Sequence, residues 1–372
     1  MNLFDTARQG VFSLDPSPVV TLYSCGITPY DAAHLGHAFV YLTFDVLQRR
    51  LRDQGTETRC VRNVTDVDDD ILRKARQLGV HYLDLAAREM ARFERDMRLI
   101  NLHPVYNEPR ATGAIAEIVT LVDALVNAGH AYVVDGWVYF NVHSAPSFGH
   151  VSHFSREEMI FLAGVHGGNP DDPRKRDPLD FVLWQPSLED EPAWESRFGP
   201  GRPGWHIECS ALAMRDLGST VDIHGGGRDL VFPHHECEAV QSEAVTGQPF
   251  VRFWVHVGLV GYEGTKMSKS LGNLVFVSDL AERSEPAAVR LALLQQHYRH
   301  DWQWHDELLG RAQSRLATWR SSLGGRSSDV VDQVRAALDD DLNTPEALRA
   351  VDEAALAGAN VAPAAELLGV TL

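Results

Sequence analysis

Short apolar runs and longer stretches with one apolar face follow one another along the chain. Apolar runs near residues 19–24, 57–63, 220–223 and 252–258 predict strands. Behind the first run, apolar side chains recur at steps of four, three and four residues, which places them on one face of a helix. These side chains are Leu35, Phe39, Leu42 and Val46. Strand and helix signals in this order predict an α/β domain.

The pattern also divides the first part of the chain. Residues 1–99 and 210–273 are expected to form the two halves of a parallel sheet that binds a nucleotide. Between the halves lies an insertion, at about residues 100–209. Within the insertion, helical periodicity stands out at 114–128, and a hairpin candidate follows at 131–142.

The last part of the chain has only helical periodicity. We expect a catalytic domain at residues 1–273, followed by a C-terminal helical domain at residues 274–372. The amphipathic helices predicted there lie at 285–298, 305–322, 328–339 and 344–358.

A glycine-containing motif, HLGH, occupies residues 34–37, between the first predicted strand and the first predicted helix. A helix N-terminus favours phosphate, because its backbone N–H groups are free and its dipole is positive there. His34 and His37 can donate hydrogen bonds to phosphate oxygens, and Gly36 leaves room for a nucleotide against the backbone. The motif therefore predicts one half of an ATP site.

A lysine motif, KMSKS, occupies residues 266–270. Its two lysines can supply positive charge to the pyrophosphate that leaves ATP. Either motif alone is a modest signal, since histidines at a helix start and lysines in a solvated loop are ordinary. Together, and in this order, they predict one complete ATP site. Its catalytic residues are expected to be His34, His37, Lys266 and Lys269.

Composition narrows the environment and the partners. The 372 residues carry 34 basic and 51 acidic side chains, a formal net charge of −17, with no basic block. Proteins that bind a polyanion over a large surface usually show a positive stripe, so the charge disfavours an extended nucleic-acid partner.

No apolar stretch approaches the ~18 residues of a membrane span, and we find no signal peptide at the N-terminus. The four cysteines form no CxxC pair, so we expect a reduced, cytoplasmic protein.

Two of the cysteines are candidates for a metal site. Cys25 ends the first predicted strand, and Cys209 lies in the segment GWHIECS. His234 and Glu238 are one helical turn apart, and two thiolates with such a pair can hold tetrahedral zinc. Cys237 is an alternative to Glu238, since it shares roughly the same helix face. Spacing also leaves a simpler alternative open, because cysteines are often buried as small apolar residues.

Eight segments of the chain form a recognisable series. They are CG at 25–26, HLGH at 34–37, RNVTDVDD at 62–69, KRDP at 175–178, GRPGWHIECS at 201–210, GGG at 225–227, FPHHE at 232–236 and KMSKS at 266–270. In this order they resemble the catalytic core of class I aminoacyl-tRNA synthetases, and specifically the cysteinyl-tRNA synthetase group. The resemblance implies a Rossmann-like α/β core with an insertion, followed by a C-terminal helical bundle. It also implies one zinc ion per chain that engages the substrate thiolate and is held by Cys25, Cys209, His234 and Glu238.

The resemblance assigns the remaining site residues. Trp205 is expected to line the cysteine pocket, with a packed core indole as the alternative. A carboxylate beside three glycines can approach a ligand closely, so Asp229 is expected to hold the cysteine ammonium, with a helix N-cap as the alternative. The expected contacts of ATP and the adenylate are Gly26, Ile27, Thr28, Gly36, Asn63, Val64, Thr65, Gly227, Arg228, Asp229 and Val260.

The implied chemistry is the activation of cysteine. Its carboxylate attacks the α-phosphate of ATP, with Mg²⁺ on the phosphates, and the products are cysteinyl-adenylate and pyrophosphate. Cysteine and serine differ only by sulfur for oxygen, a change that an apolar pocket discriminates poorly. Zinc with thiolate ligands prefers a soft sulfur donor, so a metal would supply the selectivity.

Two families share this core and differ in what accepts the cysteine. One charges tRNA, whereas the mycothiol cysteine ligases join cysteine to the amine of glucosaminyl-inositol. The segments CGITPYD at 25–31, HGGNP at 166–170 and GNLVFVS at 272–278 resemble the ligases. The helical region is also expected to be too short for an anticodon-reading module. Glu238 and the KRDP segment at 175–178, by contrast, are closer to the synthetases.

We therefore expect an ATP-dependent ligase that forms a C–N bond between cysteine and the amine of glucosaminyl-inositol. A cysteinyl-tRNA synthetase, a truncated paralogue of one, and a ligase for a related amine are the alternatives. A non-catalytic binding protein is disfavoured, because both ATP motifs and all four metal ligands are present. We expect a monomer that acts on L-cysteine, ATP and an amino-sugar acceptor, without tRNA or a membrane as partner.

Overall fold

The computed structural model describes residues 1–15, 17–31, 33–267 and 272–372. Its strands are β1 (Asn2–Asp5), β2 (Gly10–Ser13), β3 (Val19–Ile27), β4 (Glu57–Val64), β5 (Ala131–Val134), β6 (Trp137–Phe140), β7 (Phe181–Pro186), β8 (Gly201–Pro203), β9 (Val221–Gly227), β10 (Val251–Val257), β11 (Val260–Tyr262), β12 (Thr265–Lys266) and β13 (Trp302–Trp304). Its α-helices are α1 (Leu35–Asp53), α2 (Asp69–Leu78), α3 (Tyr82–Leu99), α4 (Ile115–Asn127), α5 (Arg156–Val165), α6 (Trp205–Leu217), α7 (Glu236–Thr246), α8 (Val277–Arg283), α9 (Pro286–Leu294), α10 (Asp306–Ser321), α11 (Val330–Asp339), α12 (Thr344–Leu356) and α13 (Ala362–Leu367). No helix within these ranges is both long and apolar enough to cross a membrane.

Four parallel strands form the central sheet, in the order β10, β9, β3, β4. They coincide with the four apolar runs in the sequence, so the prediction of these strands and of a parallel sheet is confirmed. The inner strand β3 has Val20, Leu22 and Tyr23 buried. A strand covered on both faces reads as a continuous apolar run, which is why β3 is so clear in the sequence.

The strand order of this sheet reverses between β3 and β9. From β3 the chain passes through α1 to β4, whereas β9 pairs with the other edge of β3 and β10 lies outside β9. Ligands of open α/β sheets bind in the crevice at such a reversal, outside the carboxyl ends of the strands. Here those ends are at Ile27 and Gly227.

Helix α1 packs on the sheet through the apolar face that the sequence predicts. Leu35, Phe39, Leu42 and Val46 are each at most 2% exposed. The helix begins immediately after His34 and contacts β4, β9 and β10. Burial of this face therefore fixes the HLGH motif beside the carboxyl end of β3.

The insertion contains a four-stranded antiparallel sheet in the order β5, β6, β7, β8. The predicted helix and hairpin are both present, as α4 and as the pair β5–β6. This hairpin turns at Asp135 and Gly136, whose φ angles of 50° and 81° are typical of a two-residue turn that matches strand twist. Strand β8 leads directly into α6, so the insertion sheet is continuous with the segment that holds Trp205 and Cys209.

The C-terminal region is helical as predicted, and α9 to α12 match the four predicted amphipathic helices. The sequence did not predict the helices α8 and α13 of this region or the strand β13. This strand pairs in parallel with β11, which also pairs with β12, the strand that contains Lys266. A three-residue strand with only long-range partners leaves too short a pattern to be recognised. The domain boundary at residues 273 and 274 stays a prediction.

Candidate active site and metal centre

One large cavity, about 1190 Å³ in volume, opens at the carboxyl ends of β3, β9 and β10. Its walls come from the start of α1, the start of α2, the insertion, and the loops that follow β9 and β10. Pockets for a single small ligand usually measure ~300–1,000 Å³. The cavity therefore has room for more than one substrate.

Four of the predicted side chains meet in a buried cluster, and one of them, Cys25, lines this cavity. Sγ of Cys25 lies 4.0 Å from Sγ of Cys209 and 3.4 Å from Oε1 of Glu238. Nε2 of His234 lies 3.0 Å from the same carboxylate oxygen. One ligand atom from each of the four lies within 4.8 Å of the others, and all four residues are buried. The fold thus assembles the predicted metal ligands from β3, α6 and the start of α7.

The two thiols respond differently to their surroundings. Burial raises the pKa of both, and the pKa of Cys25 stays well above its usual value because Cys209 lies beside it. For Cys209 a hydrogen bond from Cys25 and the nearby His234 outweigh the burial, and its pKa falls to about 6. One thiolate is therefore present at neutral pH, ready to bind a metal.

The carboxylate and imidazole of the cluster stabilise each other. Burial opposes the charge on Glu238, but His224 and His234 lower its pKa to about 2. Burial likewise opposes the charge on His234, but Glu238 and Cys209 raise its pKa to about 10. Two buried anions are thus balanced by one imidazolium proton. A divalent cation can replace that proton, because ligand atoms must be deprotonated to bind a metal.

The geometry around His234 fits a metal ligand. Its Nε2 is buried and, among the described residues, makes no properly oriented hydrogen bond despite its distance of 3.0 Å from Glu238. Its other ring nitrogen, Nδ1, lies 2.9 Å from Nδ1 of His206. Metal-bound histidines generally donate their second N–H in this way. The donor set of two sulfurs, one imidazole and one carboxylate also suits zinc.

Further histidines surround the cluster, and sequence reasoning did not assign them. Nε2 of His224 lies 3.0 Å from Oε2 of Glu238, and Nε2 of His235 lies 3.3 Å from Sγ of Cys25. Nδ1 of His235 lies 2.7 Å from Nε2 of His256. Cys25 and Glu238 also form a second possible ligand set with His224 and His235. The run of two histidines before Glu236 was the one sequence signal for this shell.

Trp205 lies over the metal cluster as expected of a residue in the cysteine pocket. Its ring stacks on His234 at 4.2 Å between centroids, with 18° between the planes, and it lines the cavity. Cys237 lines the cavity too, but among the described residues it belongs to no group that could hold a metal. Glu238 belongs to the group of four, and the alternative of Cys237 is not supported.

The two histidines of the HLGH motif cap helix α1. Nδ1 of His34 accepts a hydrogen bond from the backbone N–H of Gly36 at 3.1 Å. Nδ1 of His37 accepts one from the backbone N–H of His34 at 3.3 Å. A neutral imidazole that accepts at Nδ1 holds its proton on Nε2. Both rings line the cavity, so the capping fixes the tautomer that can donate to a phosphate oxygen.

Gly26 lies where two parts of the backbone approach each other closely. A Cβ at this position would lie 1.5 Å from the carbonyl oxygen of Asn63, so only glycine fits. The N–H of Gly26 donates to Oδ1 of Asn63 at 2.8 Å, and Nδ2 of Asn63 donates to Thr65 at 3.1 Å. Asn63, Val64 and Thr65 are buried and do not line the cavity. These three residues, predicted to contact the nucleotide, therefore lie beneath the cavity wall that contains Gly26.

The other predicted nucleotide contacts divide into two groups. Arg228 does not line the cavity; its guanidinium is directed to the carbonyl of Arg299 and to Asp301, 3.0 Å away. Only the backbone of Lys266 is described, and Lys269 lies outside the described residues. The residues that do line the cavity are Gly26, Ile27, Thr28, Gly36, Gly227, Asp229 and Val260.

Comparison with known proteins shows the family of the chain. Residues 13–314 match the family described as tRNA synthetases class I (C) catalytic domain. The chain is 47% identical to the L-cysteine:1D-myo-inositol 2-amino-2-deoxy-alpha-D-glucopyranoside ligase of Streptosporangium roseum, over 99% of this chain and 92% of that relative. The ligase of the same name from Parafrankia sp. is 50% identical, over 95% of this chain and 81% of the relative. The chain belongs to this ligase family. It is thus an enzyme of the ligase class, as the sequence predicts.

Solved structures agree on the fold. Mycobacterium tuberculosis methionyl-tRNA synthetase in complex with methionyl-adenylate matches with a TM-score of 0.67 at 18% identity, over 91% of this chain and 82% of that one. The leucyl enzyme in the ternary complex of Agrobacterium radiobacter K84 agnB2 LeuRS, tRNA and LeuAMS matches with a TM-score of 0.64 at 10% identity, over 94% of this chain and 82% of that one. At these identities the likeness shows the fold alone, and it confirms the predicted class I architecture.

Proposed function

We propose that this chain activates L-cysteine with ATP and transfers it to the amine of 1D-myo-inositol 2-amino-2-deoxy-α-D-glucopyranoside. One observation carries the proposal: a histidine-capped helix start and Cys25, a member of the Cys/His/Glu cluster, line the same cavity. The first suits the phosphates of ATP, and the second suits a thiol. The names of relatives at 47% and 50% identity supply the acceptor.

The first half-reaction joins cysteine to AMP. The cysteine carboxylate attacks the α-phosphorus of ATP, the bond to the bridging oxygen breaks, and pyrophosphate leaves. His34 and His37 donate from Nε2–H to phosphate oxygens, where negative charge accumulates. Lys266 and Lys269 are proposed to stabilise the leaving pyrophosphate, with Mg²⁺ on its oxygens. Positioning and charge stabilisation suffice, so the protein supplies no nucleophile.

Zinc is the proposed cofactor, with one ion per chain. When bound, it would hold the substrate as a thiolate and so favour cysteine over serine. Trp205 would cover the substrate side chain, since it lines the cavity and stacks on His234. Asp229 lines the same cavity and is proposed to hold the cysteine ammonium. The ion would be held by Cys25, Cys209, His234 and Glu238.

The second half-reaction transfers cysteine to the amine. The neutral amine attacks the carbonyl carbon of the adenylate, a C–N bond forms, and AMP leaves with the electrons of the broken C–O bond. The amine loses one proton in this step. We propose that a monomer performs both steps without tRNA.

The experiment that tests this proposal separates the two acceptors. The purified chain is incubated with ATP and radiolabelled cysteine, and then tRNA and glucosaminyl-inositol are offered in parallel reactions. We expect AMP and a labelled amide with the amino sugar, and no charged tRNA. A His37→Ala variant, which lacks one of the phosphate donors, is the matched low-activity control. Efficient charging of tRNA without turnover of the amino sugar would reverse the assignment.

A further inference from the structure

The insertion sheet presents a row of three side chains to the cavity. Val138 pairs with Trp184, which pairs with Pro203, across β6, β7 and β8. Next to these three positions stand Trp137 on β6, Gln185 on β7 and Arg202 on β8, and Gln185 pairs directly with Arg202. All three line the cavity. We call Trp137, Gln185 and Arg202 the insertion row.

The row has the dimensions of a binding platform. Neighbouring strands lie ~4.8 Å apart, so the row extends over ~10 Å from β8 to β6. This is comparable with the span of two linked sugar-sized rings. Its inner end is close to the cysteine pocket in the chain, since Arg202 precedes Trp205 by three residues. A ligand along the row could therefore reach the adenylate with one end.

The outer end of the row is rigid. The guanidinium of Arg174 lies 3.9 Å from the centroid of the Trp137 ring. Nε and Nη2 of Arg174 donate to the two oxygens of Asp172 at 2.8 and 2.7 Å, and the hydroxyl of Tyr139 donates to Asp172 at 2.8 Å. Asp172 and Arg174 also line the cavity. Pairing through Nε and Nη2 leaves Nη1 to bind a ligand, already oriented.

The side chains of the row suit a polyhydroxylated ring. The amide of Gln185 makes no hydrogen bond to any side chain or backbone atom in the described part of the chain, and it can both donate to and accept from hydroxyl groups. The indole of Trp137 offers apolar surface to the C–H groups of a ring. The charge of Arg202 is neutralised by Glu191, 3.0 Å away, and by Asp69. The platform is therefore close to neutral, as a phosphate-free acceptor requires.

We propose that the insertion row and Arg174 form the acceptor subsite and hold the ring that lies distal to the reacting amine. This inference rests on the proposed function and adds the location of the acceptor. The distal ring lies against Trp137, and its hydroxyls bind Gln185 and Nη1 of Arg174. The amine end then points past Arg202 toward the adenylate carbonyl.

The test compares an acceptor with and without the distal ring. Steady-state release of AMP is measured with glucosaminyl-inositol and with glucosamine, which lacks the inositol, on the full-length chain. In Gln185→Leu, which keeps the size of the side chain, we expect the KM for glucosaminyl-inositol to rise about tenfold through lost hydrogen bonds. The KM for glucosamine should change less than about twofold, because the lost bonds are to the absent ring. Trp137→Leu should repeat this pattern.

The chain offers a matched control in Arg176. Its guanidinium lies 4.0 Å from the centroid of the Tyr132 ring, a stack like that of Arg174 on Trp137, but neither Arg176 nor Tyr132 lines the cavity. Arg176→Gln should therefore keep both KM values. Cysteine-dependent pyrophosphate exchange is measured on every variant, so that a loss caused by misfolding is recognised.

The outcomes distinguish the two proposals. If the wild-type chain turns over glucosaminyl-inositol and Gln185→Leu and Trp137→Leu leave its KM unchanged, the subsite is wrong and the proposed function stands. An equal rise in KM for both amines would also overturn the subsite. If the wild-type chain exchanges pyrophosphate but uses neither amine, the proposed function fails, and the acceptor subsite fails with it. Charging of tRNA that depends on Gln185 would assign the row to an RNA end instead.

Discussion

Arg290 of the C-terminal region forms a buried ion pair with Asp45 of helix α1, with Nη2 2.5 Å from Oδ2. The same guanidinium donates to the carbonyls of Ile100 and Leu368, each at 2.8 Å. Arg290 is 1% exposed, so all of these bonds form away from water. One side chain thus links the helix that begins at the HLGH motif, the start of the insertion and the end of the chain. The C-terminal helices therefore hold α1 in place.

The first prediction concerns this link. Arg290→Met should lower the free energy of unfolding by about 3 kcal/mol, because two buried carbonyls would lose their donor and Asp45 would keep only Arg49 and the N–H of His103. Urea denaturation measures the loss. Arg349 is the control: it pairs with Glu346 and Glu353 but is 57% exposed, so Arg349→Met should cost less than about 1 kcal/mol. Equal losses in the two variants would show that Arg290 is not a structural link.

The second prediction separates the two roles of His34. Asparagine is a good N-cap but lacks the Nε2–H donor, so His34→Asn should keep the cap of α1 and lose the phosphate contact. We expect pyrophosphate exchange to slow by about 100-fold, with the melting temperature nearly unchanged. His34→Ala should lose both the helix cap and the phosphate contact, and its free energy of unfolding should fall by about 1 kcal/mol. An Asn variant as active as wild type would remove His34 from the catalytic residues.

The third prediction concerns the metal. The purified chain should contain about one zinc per molecule by plasma mass spectrometry, and Cys209→Ser should lose most of it. Cys60→Ser is the matched control, since Cys60 is a buried cysteine of the β4 core outside the metal cluster, and it should keep its zinc. Active wild-type protein without zinc would contradict the metal site.

The fourth prediction concerns selection of the amino acid. Pyrophosphate exchange should depend on cysteine, and serine should support it at least about 1,000-fold less well, because a hydroxyl is a poor ligand for a thiolate-rich zinc site. Selection by the shape of the pocket alone would favour cysteine over serine by only about 10 to 200-fold. The measurement is kcat/KM for the two amino acids with saturating ATP. A ratio within the range of shape selection would mean that the metal does not contact the side chain.

The fifth prediction concerns pH. Asp68 caps α2 by accepting from the N–H groups of Asp70 and Ile71, and burial, followed by the charge of Asp70, raises its pKa to about 6. The folded pKa exceeds the unfolded value of about 3.9, so the folded state favours the protonated form of Asp68. The contribution of Asp68 to the free energy of unfolding is therefore complete below pH ~4 and is lost as the pH rises through 6.

An amide at position 68 can still cap the helix and does not titrate. Asp68→Asn should therefore gain on the order of 1 kcal/mol relative to wild type between pH 4 and pH 7, as measured by urea unfolding at the two pH values. A stability difference that does not change with pH would contradict this assignment.

The sequence by itself predicted the strands of the central sheet, helix α1 and most of the C-terminal helices, and it named four candidate metal ligands. The strand β3 and the buried face of α1 follow from local periodicity, because burial imposes a repeat of two or 3.6 residues on neighbouring positions. The four helices α9 to α12 follow for the same reason. Cys25, Cys209, His234 and Glu238 followed from a resemblance to a known family, and the fold brings them within 4.8 Å.

Only the tertiary structure decided which further residues surround the site. His206, His224 and His256 lie on α6, β9 and β10, and nothing in their local sequence shows that they meet. Asn63 follows the expected strand end but supports Gly26 from behind, because the packing of β3 on β4 sets which side chains face the cavity. The position of Gln185 opposite Arg202 likewise depends on strand register. Register and packing join residues far apart in the chain, so no local pattern can record them.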